Sequence, residues 1–454
     1  MKPAILESYA RRQVPRYTSY PTAAQFTAQV GPEQIAAWGS ELAPDARLSL
    51  YFHVPFCRSM CWYCGCHTKA TRKDAPLIAY GQTLERELAS AAMAFGNGAR
   101  GPRPVVSIHW GGGTPSLLPA EVFQSVVEAM HESFRLSPDA EHAMELDPRT
   151  IDDALVGSLK HAGVNRVSLG VQDFTPRVQA AIGRIQPYEL VSAAVRRLAA
   201  AGLVDMNFDL IYGLPLQTRS DLLRSIDLSV SLAPTRIALF GYAHVPWFKS
   251  HQRMIKEAML PGVTERLEMA EAAAERLKSL GYEMIGIDHF ARQDDALAVA
   301  ARNGTLRRNF QGYTSDPADV VIGLGASSIS SFPQGFAQNS PATAEWARAV
   351  DAGRFATVRG VATTREDRMR AALIEALMCR LQVDVAAVAR QHGFDPSALG
   401  DWRQRIDGLV NDGLATRNGD LVTVTEDARA FARIVASVFD AYLAVEGRKH
   451  SVAV

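Results

Sequence analysis

The sequence predicts an α/β fold: a partial or full parallel (β/α) barrel, preceded by an N-terminal arm and followed by a small, mainly helical, winged-helix-like domain. Three observations predict it. Six short apolar, β-branched runs alternate with longer amphipathic segments between residues 48 and 241, the pattern of repeated parallel βαβ units. Chemistry-bearing residues sit at or just after the C-terminal ends of these runs, as at the mouth of a barrel; a doubly wound sheet would gather them at one switch point. Near residue 340 the alternation stops and helical patterns take over.

In chain order the expected strands are LSLYFHV (48–54), VVSIHW (105–110), HAMEL (142–146), RVSLGV (166–171), MNFDLI (206–211) and RIALFG (236–241). Between them, PLIAYGQTLERELASAAMAF, PAEVFQSVVEAMHESF, LVSAAVRRLAAAG and SDLLRSIDLSVSL carry helical periodicity. The runs YEMIGI (282–287) and ADVVIGLG (318–325) extend the sheet or pack beside it. The expected organisation is an arm over 1–40, a barrel domain over 41–340, a connection over 341–364 and a helical domain over 365–454. That last domain, three helices and a short strand pair, invites a DNA-binding reading. Its acidic and basic residues nearly balance, however, and a nucleic-acid footprint is basic.

Lysine plus arginine equals aspartate plus glutamate at 48 each across the 454 residues, so no global field recruits nucleic acid or an anionic membrane. No apolar run approaches the roughly 18 residues of a membrane span. The start, MKPAILESYARRQVPRY, lacks the apolar core of an export signal. The expectation is a cytoplasmic protein in a reducing compartment, where structural disulfides are rare. Metal binding or redox chemistry is then the better reading of FCRSMCWYCGC (56–66), which holds four of the five cysteines.

The spacing is Cys57-x3-Cys61-x2-Cys64-x-Cys66. Four ligands in ten residues would strain a tetrahedral zinc site, which usually pairs cysteine couples from separate loops. Three thiolates on an iron–sulfur cube leave one iron open for a substrate. The turn GGGT (111–114) allows close backbone approach, or is an ordinary tight turn. Glu145 and Asp209, carboxylates inside apolar strands, bind something polar or make a buried bond within the protein. Arg184 reads equally as a ligand or a solvated helix charge. Cys379 lies on an apolar helical face and reads as core. His53 and His109 either orient a loop or are satisfied buried histidines.

Cys-x3-Cys-x2-Cys with an aromatic before the last cysteine resembles the radical S-adenosylmethionine superfamily. The set PRYTSYPTA, YFHVPFCRSMCWYCGC, HWGGGTPS, GVQDF, FDLIYGLPLQT, GYAHVPW and RRNFQGYT closely resembles the oxygen-independent coproporphyrinogen III oxidases, from residue 15 to the C-terminal domain. The resemblance implies a [4Fe–4S] cluster on Cys57, Cys61 and Cys64, and two S-adenosylmethionine molecules. It places one against Tyr51, Gly112, Glu145, Ala243 and Ile329. The second falls against Tyr63, Gly113, Thr114, Gln172, Arg184 and Asp209, with Gly65 between the thiols within reach of a nucleoside. It also implies oxidative decarboxylation of two propionates of coproporphyrinogen III, giving protoporphyrinogen IX. The electron donor (flavodoxin-like or ferredoxin-like) and the electron acceptor are unidentified, and the expected state is a monomer.

Cys66, left over from ligation, is expected on the substrate side. The basic start, Lys2, Arg11, Arg12 and Arg16 against Glu7, is either a disordered tail or an arm folded over the mouth with Arg16 pairing a propionate. Two other readings compete. Haem chaperones keep the three cluster cysteines, but they typically end the motif with an aromatic and lack the PRYTSYPTA arm. A different tetrapyrrole-modifying radical enzyme is the other, less compatible with RRNFQGYT.

Overall fold

The computed structural model describes residues 3–443; Lys2 and the last residues of the expected C-terminal domain lie outside them. Seven parallel strands form the centre of one twelve-stranded sheet: β1 (Leu48–Val54), β2 (Pro104–Gly112), β3 (Arg135–Leu146), β4 (Arg166–Gln172), β5 (Asp205–Tyr212), β6 (Arg236–Gly241) and β7 (Val320–Leu324). Helices α1 (Ala75–Phe95), α2 (Ala120–Ser133), α3 (Asp153–His161), α4 (Tyr188–Ala200), α5 (Arg219–Ser231) and α6 (Val263–Ser279) follow the first six strands in turn. Spatial order is β6-β5-β4-β3-β2-β1-β7. Antiparallel strands flank both sides, and the two outermost, Glu283–Ile285 and Thr357–Ala362, do not pair with each other. The barrel is therefore partial, not full.

Local signals set the helix starts. Asp152 accepts from the Leu155 amide ahead of α3, and Thr218 with Asp221 forms a reciprocal capping box on α5. Alternate residues of each strand then face the helix layer. Leu48, Leu50, Phe52 and Val54 of β1 are fully buried there, and Phe52 stacks on Trp110 of β2 with ring centroids 4.0 Å apart.

Two segments depart from the sequence reading. Residues 341–364, expected as a connection, contain the helix Thr343–Asp351 and the strand Thr357–Ala362, which pairs with Gly335–Asn339 and extends the sheet. The expected arm over 1–40 divides by its packing. Val30, Ile35 and Trp38 join the core of the sheet domain, whereas Tyr9, Val14, Tyr17 and Tyr20 pack with Leu373, Leu377, Trp402 and Phe439 of the C-terminal part. That part holds a three-stranded sheet and not a strand pair, because Gln382–Asp384 adds a strand.

The first twenty residues are thus held down by the C-terminal part, and Tyr17 Oη donates to Asp440 at 2.9 Å. Leu377 is fully buried in that shared core. Leu377→Ala is expected to cost about 2–5 kcal/mol and to free the arm. Chemical denaturation, with limited proteolysis at Arg11 and Arg12, checks both. Among the described residues no helix is long and apolar enough to cross a membrane.

Candidate active site

The period-two alternation that buries the apolar strand residues turns the polar ones to the opposite face. Tyr51 of β1 registers with His109 of β2, and their rings stack at 5.9 Å. Glu145 of β3 registers with Ser168 of β4, and Gly170 with Asp209 of β5. The strands therefore line up an aromatic, a histidine and two carboxylates near their C-terminal ends.

The cysteine loop leaves β1 directly above this row. Its Phe56–Cys57 edge pairs with Lys69–Ala70, and the glycine turn clamps it: Gly113 donates to Val54 O at 2.9 Å, Thr114 to Phe56 O at 2.8 Å. A Cβ on Gly113 would lie 2.5 Å from that same Phe56 carbonyl. The other side of the loop is held from 249–252. His251 Nε2 donates to Cys64 O (2.7 Å), Gln252 to Tyr63 O (2.9 Å), and Lys249 to Cys66 O (2.8 Å). His53 Nε2 faces His67 O at 3.0 Å, which leaves Nδ1 to accept from Tyr51 Oη at 2.9 Å. Burial lowers the His53 pKa and keeps the ring neutral for this relay. Both readings for His53 hold in the structure: it is a buried histidine with both ring nitrogens bonded, and one of those bonds tethers the loop.

Donors converge on the sulfurs. Thr68 Oγ1 lies 3.3 Å and Thr114 Oγ1 3.5 Å from Cys57 Sγ, and Arg184 Nη1 lies 3.5 Å from Cys61 Sγ. The neighbouring Cys66 lowers Cys64 to about 6, while Cys64 and burial push Cys66 well up. Burial raises Cys57. Among the described residues no three His, Cys, Asp or Glu side chains converge on a single-ion site. A cube asks for a different set, one thiolate on each of three irons, with hydrogen bonds to sulfur tuning the centre. Cys57, Cys61 and Cys64 with these donors fit that group.

Arg184 is no solvated helix charge. It is buried beyond the end of the helix Pro176–Ala181, donates to Gly170 O at 2.7 Å, and bridges to Asp147 at 3.3 Å. Its Nε is buried without a hydrogen-bond partner. Burial would raise Asp147, yet Arg149 and Arg184 hold its carboxyl below the usual range. Asp209 already accepts from Asn207 (2.8 Å) and Ser168 (3.2 Å), so part of its bonding is internal to the protein. Glu145 accepts from Gly112 N at 3.0 Å and keeps a partly exposed carboxylate. Gln172 ends β4 with φ +69°, a left-handed turn, and is buried. Tyr63 packs with Trp62, Ile211 and Tyr242, and Gly65 is exposed.

Two cavities open on the site. One, of about 540 Å³, is lined by Tyr51, His53, Cys66, Gly112, Glu145, Arg308, Phe310, Gln311 and Ile329. Cys66 therefore lies on the cavity side of the loop. The other, of about 520 Å³, is lined by Arg16, Tyr212, Tyr242, Ala243, Arg266, Asp288, Arg308 and Arg433. Ala243 thus faces a different cavity from Tyr51, Gly112, Glu145 and Ile329, with which the sequence reading grouped it. Cys379 is buried among Ile285, Leu297 and Tyr313, as core. Sequence reasoning missed Asp147, Arg149 and the 249–252 tether. The pair Asp147-x-Arg149 immediately after a strand carboxylate was the one available signal.

A curved parallel sheet with three thiols on the loop after its first strand defines a class, the radical S-adenosylmethionine enzymes. The sequence model of the Radical SAM superfamily matches residues 51–229. The chain is 46% identical over its whole length, and the relative's, to the oxygen-independent coproporphyrinogen III oxidase of Bradyrhizobium diazoefficiens. It is 44% identical to that of Paracoccus denitrificans, over 97% of each. The solved coproporphyrinogen III oxidase of Escherichia coli, a radical SAM enzyme, superposes with a TM-score of 0.89 at 35% identity, covering 95% of this chain and 100% of that one. The chain belongs to the oxygen-independent coproporphyrinogen III oxidase family. It is an oxidoreductase of the radical SAM type, working with a [4Fe–4S] cluster and S-adenosylmethionine.

Proposed function

We propose that this chain decarboxylates two propionates of coproporphyrinogen III to vinyl groups, giving protoporphyrinogen IX without dioxygen, through the residues described above. The observation that carries the residue assignment is the convergence of sulfur-directed donors on Cys57 and Cys61, with Cys64 on the same loop, beside a cavity lined by Tyr51, Gly112, Glu145 and Ile329. Cys57, Cys61 and Cys64 would hold the cluster, which with S-adenosylmethionine and one electron from the donor would supply the radical chemistry that removes a hydrogen atom from the propionate β-carbon. Each propionate then loses carbon dioxide and one electron to an acceptor. The chain's own part is placement and exclusion of water.

In this reading Tyr51, Gly112, Glu145, Ala243 and Ile329 serve one S-adenosylmethionine. Tyr63, Gly113, Thr114, Gln172, Arg184 and Asp209 serve the second, with Gly65 beside it. Cys66 and Arg16 face the substrate. A flavodoxin-like or ferredoxin-like protein donates the electrons, the working state is a monomer without nucleic acid, and a reducing compartment such as the cytoplasm keeps the thiols free. The test is chromatography of the porphyrins formed anaerobically by the reconstituted protein. Two-vinyl product supports the assignment; an intact cluster with no decarboxylated product removes it and leaves a tetrapyrrole-binding role.

Two further outcomes are expected. Arg16 is exposed and lines the second cavity, its Nη2 3.4 Å from Gly241 O. Arg16→Ala is expected to raise the apparent KM for substrate on the order of tenfold with kcat little changed, read from steady-state kinetics. Burial and the Glu145 charge push Asp209 up to about 6. A ligand bonded to its carboxylate favours the ionised form, so S-adenosylmethionine affinity falls as pH drops through about 6. Calorimetric titration either side of that pH is expected to show the step, and Asp209→Asn to remove it.

A further inference from the structure

Five arginines line one cavity: Arg16 of the arm, Arg266 of α6, Arg308 of the strand Arg307–Asn309, and Arg429 and Arg433 of the C-terminal part, with Arg429 already donating to the Gly286 and Met284 carbonyls. Their charges act on each other. Burial lowers the Arg433 pKa to about 10 and Arg16 adds to the effect; burial and Arg16 likewise lower Arg266. Among the described acids lining this cavity, Asp288 is the interior one. Burial would raise its carboxyl, but Arg308 and His289 hold it at about 2, so it is fully ionised. Its bond to His289 is 2.7 Å, while Arg308 Nη2 stays 3.9 Å away. The remaining acids, Glu271, Glu275, Glu426 and Asp427, are solvent-exposed.

One interior carboxylate thus faces Arg16, Arg266, Arg308 and Arg433, the last three largely withdrawn from solvent, while Arg429 is taken up by backbone carbonyls. The Arg308 side chain is 4% exposed, and its Nε and Nη1 are buried with no hydrogen-bond partner; so is Arg266 Nε. Gathering guanidinium charge out of solvent around one interior carboxylate is costly, and a second anion in the cavity offsets it. The flat, forked guanidinium matches a carboxylate.

The position of the cavity says which carboxylates these are. None of its lining residues comes from the cysteine loop, and of the residues grouped above on the first S-adenosylmethionine only Ala243 lines it, Tyr51, Gly112, Glu145 and Ile329 being absent. Arg308 alone among these arginines also lines the cavity that holds Cys66, Glu145 and Ile329. A macrocycle lying across Arg308 would put its reacting edge beside the thiols and its far edge among the arginines. Building on the substrate reading above, we propose that Arg266, Arg308 and Arg433, with Arg16 at the entrance, hold the two propionates that survive the reaction and so fix which two are lost.

The test uses the full-length protein and two stable porphyrins, read by fluorescence titration. Coproporphyrin III carries four propionates and protoporphyrin IX only the two retained ones. Arg266→Gln is expected to weaken both on the order of 10- to 100-fold, and Arg266→Lys to recover part of the loss. Arg16→Gln, at an exposed position, supplies a second variant whose folding is not in question, with a smaller loss for both. Cluster assembly, measured by iron and sulfide, is expected to stay as in the parent. Loss of coproporphyrin binding with protoporphyrin unaffected would overturn the proposal, because the arginines would then hold the reacting groups. Unchanged affinity for both would overturn it as well. A parent protein that binds neither porphyrin would instead overturn the substrate reading.

Discussion

Replacing Cys57, Cys61 or Cys64 by serine is expected to abolish cluster iron and drop vinyl product to background, whereas Cys66→Ser is expected to keep the cluster. The asymmetry follows from what surrounds each sulfur. Cys57 sits between the hydroxyls of Thr68 and Thr114, and Cys61 faces the Arg184 guanidinium. Cys64 is lowered to about 6 by its neighbour Cys66, the direction a ligating thiolate needs, while Cys66 keeps its own proton. Cys66 is the donor of that pair and lines the cavity of Glu145 and Ile329. Iron and acid-labile sulfide per chain, with the electron paramagnetic resonance of the reduced protein, check the four variants. A Cys66→Ser protein without cluster would make Cys66 a ligand and return one of the other three to the substrate side.

Gly112→Ala is expected to cost both stability and ligand binding. Gly112 has φ +110°, and an added Cβ would stand 2.6 Å from His53 Cε1 and 2.7 Å from its Nδ1. The ring cannot step aside without breaking the bond from Tyr51 or the one to His67, which tethers the end of the cysteine loop. The Gly112 amide would also pull away from Glu145. Strained backbone and overpacking together cost on the order of 3 kcal/mol. Gly163, at φ +74° with open space around its Cβ position, provides the control in which the backbone penalty acts alone. Chemical denaturation of both variants, with S-adenosylmethionine affinity of each, separates them: Gly112→Ala is expected to lose stability and ligand binding, Gly163→Ala only about 1 kcal/mol.

The strands were legible because their signal is local. A run such as LSLYFHV is apolar and β-forming whatever lies elsewhere, and its bounds in the structure are those of the run, with all but Tyr51 buried. The cysteine motif was legible for the same reason. What escaped depends on contacts between distant segments. Arg266 and Arg433 sit in helical patterns, where an arginine ordinarily reads as solvated; only the meeting of α6, the arm and the C-terminal part buries them. Gln252 supports Tyr63 from 189 positions away, and no spacing rule reaches that far. The strand Thr357–Ala362 has an irregular burial pattern and a central glycine, so it reads as a connection until Gly335–Asn339 supplies its partner. Ala243 was grouped with Tyr51 by resemblance, and the fold sets it on the neighbouring cavity.

The central claim is that the site built by Tyr51, Glu145, Ile329 and the three thiols delivers its radical to a propionate β-carbon. Coproporphyrinogen III deuterated at the propionate β-carbons tests this most directly. After anaerobic turnover of the reconstituted protein with S-adenosylmethionine and reductant, the 5′-deoxyadenosine is collected and weighed by mass spectrometry. One deuterium in the 5′-deoxyadenosine, accumulating in step with vinyl groups, is the predicted result. Unlabelled 5′-deoxyadenosine formed alongside vinyl product would place the hydrogen abstraction elsewhere and contradict the account.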